Sequence, residues 1–131
     1  MTSQVSATDR LSLVVYRALL VTSAAAAVAL GVASGLDAPQ VDPAHQLTEY
    51  WRAYGLLVFA ALSACLASAP PGVAVVWLVV VFHKAAMTLT AVLLLRHGAA
   101  GAPTAAVVDG ALVAVTLVAL GLRRSAARAS V

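Results

Sequence analysis

The chain has 131 residues, 63% of them hydrophobic and only 10% charged, with a net charge of +3 and a mean hydropathy of +0.99. An ordinary soluble domain is about 45–50% apolar and about 25% charged, and one this short has no interior large enough to hide the surplus. These figures exclude a soluble globular enzyme, a disordered chain and a disulfide scaffold, and they predict an all-α integral membrane protein.

A membrane-crossing helix needs about 20 mostly apolar residues. The first predicted span covers 11–36, with Arg17 as its one charge. It is long for a signal-peptide core and more spans follow, so a retained anchor is expected. Asp37, Pro39, Asp42 and Pro43 then open a polar loop expected to last about fourteen residues. The second span covers 51–69 and begins with Trp51, Arg52 and Tyr54; Cys65, deep in its apolar run, is expected to be a small buried residue. Pro70-Pro71-Gly72 predicts a tight hairpin into the third span, 73–95, which His83 and Lys84 interrupt. Gly98 to Pro103 links it to the fourth span, 104–122, which contains Asp109. Starting that helix after Gly110 would leave only twelve residues, too few to cross. Residues 123–131 form an Arg-rich tail within reach of anionic lipid.

Positive residues favour the cytoplasmic side. Arg10 and Arg17 flank the first span, Arg123, Arg124 and Arg128 follow the last, and the first loop carries Asp37, Asp42 and Glu49. The expectation is a single-domain four-helix bundle, up-down-up-down, with both termini cytoplasmic in the inner (plasma) membrane. Arg96 sits on the unfavoured side. The basic residues mark span ends and do not cluster on one face, so no nucleic acid is expected as a partner.

Lipid tails are as apolar as leucine, so helices associate in a bilayer through close backbone approach and polar contacts. Ala27, Gly31 and Gly35 form one small-residue stripe and Ala106, Gly110 and Ala114 another. Both suit packing within the bundle, with a homo-oligomer contact as the alternative.

The polar residues inside the spans carry the functional expectation. A charge at the bilayer centre costs about 2.5–3.5 kcal/mol and by default marks function. Lys84, the chain's only lysine, lies about 16 Å below the outer end of its helix, and Asp109 roughly 8 Å below the outer end of its own. A lysine stem can span much of that difference, but helix side chains lean toward the helix N-terminus, inward for this helix. Two arrangements therefore stand open: a direct pair, or one bridged by a water or by Thr88, one turn outward of Lys84. Arg52 enters from the outer end of the second span, which places Asp109 between two cations. The expected site is a polar pocket in the outer half of the bundle. Lys84, Asp109 and His83 are its catalytic candidates; Arg52, Tyr54, Trp77 and Thr88 are its ligand-binding candidates. His83 and Lys84 are adjacent and diverge by about 100° on a helix, so only one should face the pocket squarely. Against this stands a purely structural Lys84–Asp109 pair pinning the third helix to the fourth, with Arg52 as an interface anchor and Tyr50, Trp51 and Tyr54 as an aromatic belt.

No Gly-rich phosphate loop, CxxC or HExxH motif is present. No metal site is expected, and the cofactor, if there is one, is unknown.

The glycines of the first span (Gly31, Gly35), Pro39 in the first loop, and the stretch Glu49-Tyr-Trp-Arg52-Ala-Tyr-Gly55 resemble the DoxX-like group of small bacterial four-helix membrane proteins. The polar His83-Lys84 position and Asp109 are compatible with it. The resemblance implies a link to quinone redox chemistry. Three functions compete: binding or transforming a lipophilic small molecule, serving as a non-catalytic assembly subunit beside a membrane partner protein, and acting as a small oligomeric proton-coupled transporter.

Overall fold

Asp42 and Pro43 begin a helix rather than prolonging a loop. The Asp42 carboxylate accepts a 2.8 Å hydrogen bond from the Ala44 backbone N–H, and proline in the first helical turn gives up only a donor that would have had no partner there. The second helix therefore starts eight residues ahead of the expected span. In the computed structural model, which describes residues 7–68 and 74–129, the elements are α1 (Ala7–Asp37), a short 3₁₀ turn (Ala38–Gln40), α2 (Pro43–Ser68), α3 (Ala74–Leu95) and α4 (Ala102–Ala129). The fourteen-residue loop thus contracts to the 3₁₀ turn and two flanking residues. The Arg-rich segment expected as a tail continues α4 as far as Ala129. The Pro70-Pro71-Gly72 hairpin lies outside the described residues.

All four helices are long and apolar enough to cross a bilayer. α1 packs along both α2 and α4, and α3 packs along α4, whereas α2 touches α3 only briefly. The order around the bundle is therefore α2, α1, α4, α3, with a seam between two helices that are consecutive in the chain. Gly31 of α1 meets Ala53 and Leu57 of α2, and Gly35 meets Ala53, the offset of an antiparallel pair. The first small-residue stripe thus serves the bundle. In the second, Gly110 faces Thr88 of α3, while Ala114 is exposed.

Buried positions follow a helical repeat. On α4 they are Ala102, Asp109, Leu112, Thr116, Ala119 and Ala126; on α3 they are Trp77, Val80, Lys84 and Ala91. Steps of three, four and seven keep each set on one stripe. Val75, Leu78, Phe82 and Leu89 occupy the other side of α3 and are exposed, as lipid-facing residues must be. Cys65 also faces outward, contrary to expectation, because Ser63, Leu66 and Ala67 take the inner face of that turn.

Candidate functional site

Lys84 falls on the buried stripe of α3, and Asp109 lies two turns into α4. Their side chains meet directly: Lys84 Nζ donates to Asp109 Oδ1 at 2.6 Å. No bridging water or Thr88 is needed, because the lysine stem covers the difference in depth between the two Cα atoms. Residual exposure of Lys84 is 2% and of Asp109 7%. The ammonium also lies 4.6 Å from the centre of the Phe59 ring of α2, a distance at which the ring's negative face attracts it. One cation therefore touches three helices.

Thr88 supports this arrangement from one turn along α3. Its hydroxyl donates to the Lys84 carbonyl at 2.7 Å, so the polar group spends its hydrogen bond inside its own helix. Its methyl group faces Gly110, where a Cβ would sit 3.5 Å away. Thr88 is thus a packing residue beside the pair rather than a bridge or a pocket wall.

A cavity of about 430 Å³ opens beside the ion pair, with walls from all four helices. α1 supplies Leu30 and Ser34; α2 supplies Thr48, Trp51, Arg52, Gly55 and Leu56; α3 supplies His83, Lys84 and Met87; α4 supplies Thr104, Ala105, Val108 and Asp109. Its size and its mixture of apolar walls with a few convergent polar groups are those of a small-molecule site. It lies where the brief α2–α3 contact leaves room.

The structure redistributes the residues singled out from the sequence. Lys84, Asp109, His83 and Arg52 all line this cavity. His83 and Lys84 do so together, because the cavity is wide enough to take two neighbours on a helix; His83 stands at the exposed rim and Lys84 in the wall. Arg52 does not act as a second cation for Asp109: its guanidinium pairs with Glu49, one turn back on α2, and remains partly exposed. Tyr54 points away from the cavity; it is 59% exposed and stacks on Tyr50 with ring centres 6.2 Å apart. Trp77 lies two turns along α3 from Lys84, packed near Arg123 at the far end of the bundle. Tyr54 is two positions from Arg52 and so falls on the opposite face of α2, whereas Trp77 shares the buried stripe of Lys84 but lies seven residues, about 10 Å, along the helix from it.

Ser34, Thr48, Met87 and Thr104 were not anticipated. Thr48 lies four residues before Arg52, and Met87 four after His83, the spacing that shares a helix face. That signal was present for Met87. For Thr48 the spacing is hidden by the polar composition of 37–50, although that segment is helical from Pro43 on.

Chemically, the ammonium of Lys84 has three donors and the carboxylate of Asp109 about four acceptor positions, and their mutual bond uses one of each. The remainder is available to a polar ligand group in a site shielded from bulk water. Among the described residues, no three His, Cys, Asp or Glu side chains gather closely enough to hold a metal ion. Comparison of the chain with protein-family models, curated proteins and solved structures finds no match in any of the three.

Proposed function

We propose that this protein crosses a bacterial plasma membrane four times, up-down-up-down with both termini in the cytoplasm, and binds a lipophilic small molecule in the outer half of the bundle. The polar head of the ligand meets Lys84 and Asp109, while its apolar body lies against Leu30, Trp51, Leu56, Met87 and Val108. The observation that carries this reading is a buried, directly bonded ion pair in the wall of a cavity of about 430 Å³. A pair that only pinned α3 to α4 would be sealed by packing; this one borders open space. The seam between α2 and α3 gives a molecule dissolved in the bilayer a lateral way in. The DoxX-like resemblance makes a quinone the first ligand to test, and a flat head bearing carbonyl acceptors matches the donors of Lys84.

Gly55 supplies the test. It lines the cavity, and a Cβ added there meets no atom within 4 Å. Gly55→Leu therefore fills the site without displacing the backbone. In a Trp77→Phe background, Trp51 reports a short-chain benzoquinone by fluorescence quenching. Gly55→Leu should weaken binding about tenfold, the loss of roughly 1.4 kcal/mol, with the melting temperature unchanged. Quenching curves that superimpose with and without the substitution would refute the site.

A further inference from the structure

At the end of the bundle away from the Lys84–Asp109 cavity, α3 and α4 part to form a groove of about 470 Å³. Its walls include Leu78, Val81 and Leu120, and Arg123 and Arg124 follow one turn beyond Leu120 on α4. Among the described residues, neither arginine pairs with a carboxylate, and no acidic residue lines the groove. Arg123 instead lies over the Trp77 ring, with its guanidinium carbon 5.7 Å from the ring centre. Trp77 is 3% exposed, and its buried indole nitrogen has no hydrogen-bond partner among the described residues. A buried donor without an acceptor is uncommon in folded proteins and calls for an explanation.

We infer that this groove binds an anionic phospholipid. The phosphodiester sits at Arg123 and Arg124, beside the buried Trp77 indole, and an acyl chain follows Leu78, Val81 and Leu120. Basic pockets between membrane helices take anionic headgroups, and each arginine near an anionic lipid contributes a favourable electrostatic term. Inorganic phosphate satisfies the cations but leaves the apolar wall without a partner. A second copy of the chain would bring two further arginines against these two, which like-charge repulsion opposes. The inference is independent of whatever the other cavity holds.

The two tryptophans of the chain are Trp51 and Trp77, so Trp51→Phe leaves Trp77 as the sole emitter. This variant is reconstituted in phosphatidylcholine vesicles containing a minor fraction of brominated phosphatidylglycerol or, in parallel, brominated phosphatidylcholine. Preferential quenching by the anionic lipid is expected, competed by unbrominated phosphatidylglycerol and not by inorganic phosphate. Arg123→Gln and Arg124→Gln should each reduce the preference about fivefold, while Arg96→Gln, at the opposite end of α3, should leave it intact. Equal quenching by both lipids, or none by either, overturns the proposal without any arginine variant. Relief by inorganic phosphate would show a free-anion site instead. An equal loss in Arg96→Gln would reduce the preference to general surface charge and so also overturn it.

Discussion

Lys84 and Asp109 are tolerated within an apolar segment only as partners. Breaking a buried pair by removing one member strands the other charge, which costs far more than removing both. Asp109→Ala should therefore destabilise the bundle by about 2–3 kcal/mol, read from unfolding in mixed detergent micelles. The double change Lys84→Met with Asp109→Leu should recover stability to within about 1 kcal/mol of the parent. It should nevertheless abolish benzoquinone quenching of Trp51. A double variant that folds and still binds would make the pair structural and nothing more. His83 stands at the exposed rim of the cavity, while its neighbour Lys84 is 2% exposed, so a single residue step on α3 passes from rim to interior.

At the scale of the helix, backbone approach decides which elements pair. At Gly31 a Cβ would meet the Ala53 carbonyl oxygen at 3.0 Å and the Leu57 side chain at 3.2 Å; at Gly35 the nearest atom would be 3.8 Å away. A backbone oxygen cannot swing aside. Gly31→Ala should accordingly loosen the α1–α2 contact and cost about 1 kcal/mol or more, whereas Gly35→Ala should be neutral or slightly stabilising through helix propensity. Parallel thermal melts of the two variants test this, and equal melting temperatures would remove Gly31 as the contact that sets the helix spacing. α3 presents the converse case. Its inner stripe is narrow and its outer face largely apolar, so it is held by α4 and by the polar contacts of Lys84 rather than by broad packing on α2.

For the whole molecule, the arrangement α2, α1, α4, α3 leaves one seam unclosed, and the cavity lies behind it. Consecutive helices usually make the most extensive contacts; here the pair joined across the undescribed segment makes the fewest. The cavity lined by Trp51, Met87 and the ion pair lies in the region where α2 and α3 would otherwise meet. The proposed orientation places the α3–α4 link outside and the end of α4 inside. With Cys65→Ser as background, His97→Cys should react with a membrane-impermeant maleimide added to intact cells. Ser125→Cys should react only after permeabilisation. The reverse pattern would invert the molecule and move the cavity to the cytoplasmic half.

Composition and apolar run length were enough to indicate an all-helical chain with four helices long and apolar enough to cross a membrane, because the bilayer leaves so few ways to satisfy a backbone. The small-residue steps also marked a packing face on α1, and the tertiary structure supplies α2 as its partner. The α2 start is legible in Asp42 and Pro43, although the polar residues around them have the composition of a loop. What no linear reading could supply was the rotation of each helix about its own axis and its shift along its neighbours. Those two quantities brought Lys84 onto Asp109 without a bridge and turned Tyr54 outward, whereas the local pairing of Arg52 with Glu49 and the place of Trp77 two turns from Lys84 follow from spacing within a single helix. They depend on how side chains from different helices fill the space between them, a property of the assembled bundle and of no single segment.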